Sequence, residues 1–207
     1  VGTHAGISDA PDAATHQMLE DIAIMRSLPN MVVVAPCDSE EARKAIIDAT
    51  SLDKPIYIRI ARDDTPIITT TKTPFIIGKA NVFKEGSDIT IISTGRSTYH
   101  ALLAASILDK DNINAEIVHC STIKPLDEST ILKSVKKTGK VVVTEEHQIT
   151  GGLGGAVAEL LGEEYPVPMR RVGVKDRFGE SGKPDDLLRA MGLTPTHIAM
   201  AAHQLIG

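Results

Sequence analysis

The alternation of short apolar runs with helical repeats most constrains the fold of this chain. Continuous apolar runs, typical of strands buried on both faces, occupy residues 31–35, 55–61, 88–93, 115–119, 140–144 and 169–174. Helical spacing of apolar residues predicts helices over about 15–28, after residue 38, near 97–109, 128–137 and 155–161, and from 194–195. This order predicts an α/β protein whose parallel sheets are covered by helices on both faces.

One Pro- and Thr-rich stretch, residues 65–74, interrupts the alternation and is typical of a linker. We therefore predict two domains, 1–72 and 73–207. The first holds only two of the predicted strands, and a parallel sheet of two strands is not a complete domain. The sequence thus predicts that the first domain is incomplete and that the chain starts inside a larger unit.

Composition excludes several classes of protein. The 27 acidic and 22 basic residues give a net charge of −5, which argues against a nucleic-acid-binding face. No stretch approaches the roughly 20 apolar residues of a membrane span. The two cysteines, Cys37 and Cys120, lie far apart without metal-binding spacing. They favour a reducing compartment, and we expect a cytoplasmic protein without nucleic-acid or membrane partners.

The densest cluster of polar residues lies in the first seventeen positions and includes His4, Asp12 and His16. Loops that lead into helices often carry function. Asp12 and His16 are four residues apart and would share a helix face if the helix over 15–28 reached back that far. Taken by spacing alone, they are more simply interpreted as solvated loop and cap residues. No ligand spacing supports a metal site among them, and we assign none.

Arg62 follows the predicted strand 55–61, at the end of a strand where open α/β sheets bind ligands. Its planar guanidinium suits a phosphate, although an ion pair with Asp63 or Asp64 explains it as well. The glycine-rich run 151–155 precedes a predicted helix but lacks the residues of a phosphate-binding loop. We interpret that run as a tight turn.

Several motifs, taken in order, resemble the transketolase family over essentially the whole chain. The motifs Thr-His-Ala-Gly-Ile-Ser at 3–8, Asp-Ala-Ala-Thr-His-Gln at 12–17 and Leu-Pro-Asn-Met at 28–31 resemble the second half of its pyrimidine-binding domain. Ser-Thr-Ile-Lys-Pro-Leu-Asp at 121–127, Glu-Glu-His at 145–147, Gly-Gly-Leu-Gly at 151–154 and Phe-Gly-Glu-Ser-Gly at 178–182 resemble its C-terminal domain. The resemblance implies a pyrimidine-binding domain of the thiamine-diphosphate type followed by a Rossmann-like domain.

The resemblance also implies an activity and a set of site residues. Transketolases move a two-carbon ketol unit from a ketose phosphate to an aldose phosphate. His16 matches the histidine that contacts the reacting carbonyl and first hydroxyl of the donor, with a role in proton transfer. Asp12 matches the aspartate at the hydroxyl next to the aldehyde. His4 and Arg62 match residues that bind the substrate phosphate.

The same resemblance implies cofactors and partners that this chain does not provide by itself. Thiamine diphosphate and Mg²⁺ are bound mainly by sections absent here, and no cofactor-binding residue is assigned in this chain. We therefore expect an N-terminal section or subunit as partner, a dimer-based homo-oligomer and no activity of the chain alone. Two alternatives stay open: an assembly or regulatory subunit without catalysis, and a deoxyxylulose-phosphate synthase-like enzyme. The first is favoured by residues 10–13, which read Ala-Pro-Asp-Ala where the family usually has Gly-Glu-Asp-Gly.

Overall fold

A computed structural model of the chain describes residues 1–8 and 13–207. The helices are α1 Asp21–Ser27, α2 Ser39–Ala49, α3 Ser97–Leu108, α4 Glu128–Thr138, α5 Leu153–Glu164, α6 Pro184–Ala190 and α7 Pro195–Ile206. The strands are β1 Val32–Val34, β2 Ile56–Ile58, β3 Asn81–Lys84, β4 Ile89–Ser93, β5 Ala115–His119, β6 Thr122–Lys124, β7 Val141–Gln148 and β8 Met169–Val174. The predicted alternation of strands and helices is confirmed.

The strands form two sheets, and both are mixed rather than purely parallel. The smaller sheet has the order β2-β1-β6, and the larger has the order β3-β5-β4-β7-β8. All neighbours within them are parallel except β1 with β6 and β3 with β5. The α/β class is therefore confirmed, whereas the prediction of wholly parallel sheets is wrong at these two pairs. The predicted division at residue 72 stays a prediction.

The larger sheet is covered on both faces because its strands alternate their side chains. On β4, Ile91 packs in a cluster with residues of α3 and α7, whereas its neighbour Ile92 packs with residues of α4 and α5. The Ile92 cluster also takes in Ile22 of α1 and Val33 of β1. The two sheets therefore share this cluster of buried residues.

Local signals in the sequence set several helix ends. The Asp38 side chain caps α2 by accepting a hydrogen bond from the Glu41 amide at 2.9 Å. The α4 helix is capped by Asp127 and ends at Gly139, whose φ of 70° closes the last turn in the left-handed conformation. These two helices lie where the sequence predicts them. No helix in the described ranges is long and apolar enough to cross a bilayer.

The helix predicted over 15–28 is shorter than expected and begins at Asp21. The backbone of Met18 instead pairs with the loop before it, donating to the His4 carbonyl at 3.1 Å and accepting from the Gly6 amide at 2.9 Å. Because these bonds replace the helical ones, His16 lies in a turn. The helix therefore does not place Asp12 and His16 on a common face, and Asp12 itself lies outside the described residues.

Strand β7 extends beyond the apolar run that predicted it and includes Glu145, Glu146 and His147, all buried. The side-chain oxygens of both glutamates accept hydrogen bonds from backbone N–H groups. Glu145 accepts from Leu153 at 2.7 Å and from Gly154 at 2.8 Å, at the start of α5. The glycine-rich run 151–155, which leads into α5, therefore packs around a buried glutamate.

Candidate functional site

The loop that carries His4 lies along the carboxyl end of β2. The Gly2 amide donates to the Ile58 carbonyl at 2.9 Å, and the Ile60 amide donates back to the Gly2 carbonyl at 2.8 Å. Glycine is required at this approach because an added Cβ would lie 2.3 Å from the Tyr57 hydroxyl oxygen. The loop thus runs beside the segment that leads to Arg62, at the end of a strand where α/β sheets bind ligands.

Two predicted site residues, His4 and His16, face each other in the structure. Their ring centroids are 5.8 Å apart, with an angle of 52° between the ring planes. The Thr3 hydroxyl lies 3.1 Å from His4 Nδ1, and the Thr15 hydroxyl lies 3.0 Å from His16 Nδ1. A hydroxyl at Nδ1 fixes the orientation of each ring, because it can donate to one tautomer and accept from the other. The pair can therefore present oriented imidazoles to a ligand.

A buried arginine holds the two arms of this loop together. Arg59 Nη2 donates to the carbonyls of Met18 at 2.8 Å and Glu146 at 3.0 Å, and Arg59 Nε donates to Asp21 Oδ2 at 2.8 Å. The Tyr57 hydroxyl donates to the same Asp21 oxygen at 2.8 Å. Burial alone would raise the pKa of Asp21, but the charge and hydrogen bonds of Arg59 lower it. The carboxylate is therefore ionised and paired.

Glu146 anchors the loop from the opposite side. Its Oε1 atom accepts hydrogen bonds from the amides of Ile7 at 2.9 Å and Ser8 at 2.7 Å. Gly6 has a φ of 88°, and an added Cβ there would lie 2.5 Å from Glu146 Cδ. Only glycine can adopt this φ and also leave room for the Glu146 side chain without strain. The loop therefore packs closely against β7.

The turn that leads to His16 contains an alanine in an unusual conformation. Ala13 has a φ of 62°, which is the left-handed conformation that favours glycine. The resemblance places a glycine at this position. The structure therefore shows that the substitution keeps a left-handed backbone and stores strain there.

Arg62 is exposed and lies beside a cavity of about 360 Å³ on the carboxyl side of β1, β2 and β4. Its neighbours Ala61 and Asp63 line the cavity, as does Arg96 at the start of α3. Arg96 Nη1 lies 3.9 Å from Asp63 Oδ2. Asp63, one of the two aspartates proposed as local partners of Arg62, thus lies close to a different arginine.

The structure brings two of the four predicted site residues, His4 and His16, into contact, and Arg62 follows the strand end that their loop pairs with. Asp12 cannot be placed because it lies in the undescribed range 9–12. Sequence reasoning missed Arg59 and Glu146, which position the loop. A charged residue inside the apolar run 55–61 was the available signal for Arg59.

Two family models match the chain in consecutive order. The transketolase pyrimidine binding domain matches residues 1–67, and the transketolase C-terminal domain matches residues 78–198. A 6-deoxy-6-sulfo-D-fructose transketolase subunit from Clostridium sp. (strain MSTE9) is 44% identical, over 99% of this chain and 64% of that protein. An apulose-4-phosphate transketolase subunit from Phocaeicola vulgatus is 35% identical, over 100% of this chain and 66% of that protein.

A solved structure described as a split gene transketolase, inactive beta4 tetramer, has the same fold. The TM-score is 0.92 and the identity is 42%, over 99% of this chain and 65% of that chain. The chain therefore spans slightly less than two thirds of the length of these relatives.

Proposed function

Because the chain belongs to the transketolase family, we propose that it is the C-terminal section of a split, thiamine-diphosphate-dependent transketolase. The observation that carries this proposal is the match of both family models, in order, on a chain that superposes throughout on a split-gene transketolase subunit. In this proposal the complete enzyme moves a two-carbon ketol unit from a ketose phosphate to an aldose phosphate.

The proposal assigns the cofactor site to a partner section. Among the described residues, the one compact group of potential metal ligands is Cys37, Glu41 and His119. Its thiol does not fit Mg²⁺, which takes oxygen ligands beside a diphosphate. Thiamine diphosphate would supply the electron sink for the two-carbon fragment. The residues of this chain would bind and orient the sugar.

Three side chains would share that work. His16 would donate a hydrogen bond to the donor carbonyl or first hydroxyl and exchange a proton there. His4 and Arg62 would bind the anionic group at the far end of the sugar. Support comes from the names of two relatives, whose sugars carry a sulfonate in one case and a phosphate in the other. Asp12 would contact the hydroxyl beside the aldehyde, as the resemblance implies.

The test is reconstitution with the N-terminal section, thiamine diphosphate and Mg²⁺, followed by assays with ketose phosphates and a sulfonated ketose as donors. His16→Ala should lower kcat/KM at least about 100-fold, because positioned proton transfer contributes about 10²- to 10⁴-fold. His203→Ala is the matched control, since His203 is an exposed imidazole of α7 bound to Asp111 and should leave the rate unchanged.

Other results would redirect the assignment. A complex that binds cofactor but turns over no ketose would favour the assembly or regulatory subunit. Turnover with pyruvate in place of a ketose would favour the deoxyxylulose-phosphate synthase-like enzyme. Equal activity of His16→Ala and His203→Ala would show that the site is assigned to the wrong imidazole.

A further inference from the structure

Three buried side chains of different chemistry meet where the start of α2 approaches the carboxyl end of β5. Cys37, Glu41 and His119 are each 1% exposed or less. One donor atom from each, a sulfur, an oxygen and a nitrogen, lies within 4.8 Å of the other two. We propose that these three residues bind one Zn²⁺ ion, with a water or small ligand from the adjoining cavity as the fourth ligand.

The spacing of the three donor atoms, all within 4.8 Å of one another, leaves room for one ion among them. In a tetrahedral site, zinc bonds of about 2.0 Å to nitrogen or oxygen and 2.3 Å to sulfur place neighbouring ligand atoms about 3.3–3.5 Å apart. Glu41 Oε2 and His119 Nε2 are now 2.8 Å apart, as a hydrogen bond. They need to separate by about 0.5 Å to admit the ion, and side-chain rotation accomplishes such a shift.

One oxygen of the Glu41 carboxylate lacks a hydrogen-bond donor among the described residues, which is a second, independent observation that points to a cation. Glu41 Oε2 accepts from the Cys37 amide at 2.7 Å, but Oε1 is buried without a hydrogen-bond partner in the described part of the chain. A buried carboxylate oxygen that lacks a partner is costly, and a metal ion satisfies it. The fold therefore leaves one oxygen of this negative side chain without a donor among the described residues.

The imidazole is oriented for coordination through Nε2. The Thr98 hydroxyl lies 2.7 Å from His119 Nδ1, and Ser93 Oγ lies 3.1 Å from Thr98 Oγ1. Without an ion, Nε2–H donates to Glu41, and an ion at Nε2 would displace that proton. His119 would then take the Nδ1–H tautomer, with the Thr98 hydroxyl as acceptor, which is the arrangement typical of metal-bound histidines. The ring of Phe83, with its centroid 5.1 Å from that of His119, packs against the imidazole.

The donor set selects the metal. Thiolate and imidazole together favour Zn²⁺ over Mg²⁺ or Ca²⁺, which require oxygen ligands. The Cys37 thiol loses its proton to solvent as the ion binds, so thiolate and carboxylate together balance the charge of the divalent ion. Cys37 lines the cavity of about 360 Å³, from which the ion and the fourth ligand would approach.

A Zn²⁺ ion bound by these three residues would connect the two sheets. Cys37 and Glu41 flank the start of α2, which follows the smaller sheet, whereas His119 ends a strand of the larger sheet, 78 residues after Glu41. Such a separation also explains why no spacing in the sequence reveals the site. A bound ion would therefore stabilise the packing between the two halves of the chain.

The test is a titration of the purified full chain, stripped with a chelator, with Co²⁺ as a spectroscopic probe and then with Zn²⁺. One Co²⁺ should bind per chain, with thiolate-to-metal absorption in the near ultraviolet and strong visible bands typical of tetrahedral cobalt. Zn²⁺ should displace it and raise the midpoint of thermal unfolding. Absence of the thiolate absorption in the wild-type chain would overturn the proposal without recourse to any variant.

Variants then assign the ligands. Cys37→Ala should abolish the thiolate absorption, and His119→Gln should weaken Co²⁺ binding at least tenfold. Cys120→Ala is the matched control, because Cys120 is the second buried free cysteine and lies outside the cluster. A thiolate band that survives Cys37→Ala but disappears in Cys120→Ala would refute the assignment, and circular dichroism confirms that each variant is folded.

Discussion

Replacing Arg59 by methionine should destabilise the protein far more than removing any surface arginine. The guanidinium is 6% exposed and pairs with the Asp21 carboxylate, which is 9% exposed. Methionine fills similar space but leaves that carboxylate buried without its counter-charge. It also removes the donor that the Met18 and Glu146 carbonyls share.

The expected loss follows from the burial of the pair. Removing one partner of a buried ion pair costs about 3–5 kcal/mol, because the remaining charge is left uncompensated. With a urea dependence of about 2 kcal/mol per M, the midpoint of unfolding should fall by about 1.5–2.5 M. Arg59 lowers the pKa of Asp21, so this stabilisation is complete above the ordinary value of 3.8 and is lost as the pH falls through the lowered pKa.

The assay is urea unfolding at pH 7 with Arg189→Met as the matched control. Arg189 pairs with Asp186 at 2.9 Å, but the two side chains are 69% and 63% exposed. Such a surface pair contributes about 0–1 kcal/mol. If Arg59→Met costs no more than Arg189→Met, the buried pair does not stabilise the loop. A double-mutant cycle with Asp21→Asn would then show no coupling energy.

Three further predictions concern single side chains. Burial raises the pKa of Glu145 to about 7 from an ordinary 4.5, so the folded state keeps a proton that the unfolded state loses. The free energy of unfolding of the wild type should therefore fall by about 3 kcal/mol as the pH rises from 4.5 to above 7. Urea unfolding at a series of pH values should show a much smaller fall for Glu145→Gln. Ala13→Gly should raise the free energy of unfolding by about 0.5–1 kcal/mol, because glycine adopts the left-handed conformation without strain. The control Asn30→Gly, at a φ of 61°, should change it less because asparagine tolerates that region. An equal gain in both variants would contradict this explanation. Gly152→Ala should lower the free energy of unfolding by about 1–3 kcal/mol, measured by thermal unfolding, because the new Cβ would lie 2.0 Å from Glu145 Oε2. The control Gly162→Ala, with nothing within 4 Å of its Cβ, should be neutral or stabilising.

The elements that were predictable from sequence are those whose signals are local. The apolar runs around β4 and β7 and the cap at Asp38 lie close to their predicted positions. Strands β3 and β6 were missed because they have four and three residues and owe their existence to pairing with distant strands. Their sequences, Asn-Val-Phe-Lys and Thr-Ile-Lys, contain no continuous apolar run of the kind that revealed β4 and β7.

In the candidate site, too, residues with a signal in the sequence were predicted and those that depend on distant contacts were missed. The resemblance singled out His4, His16 and Arg62, and the structure brings His4 and His16 into contact. The helical spacing of Met18 with later apolar residues predicted an earlier start of α1, but backbone pairing of Met18 with the preceding loop outweighed this preference. Glu146 was unassigned because its partners, two backbone amides 138 and 139 residues away, leave no trace in local sequence.

The pairing of β6 with β1 has a consequence for how such a gene can change over time. Residues 122–124 complete the smaller sheet, although they follow the stretch 65–74 that separates the two halves of the chain. A recombination event or gene fission within 65–74 would leave the backbone groups of Val33 and Val34 on an open strand edge, where unrelated chains could pair with them. The two halves are therefore expected to be inherited and exchanged as one unit.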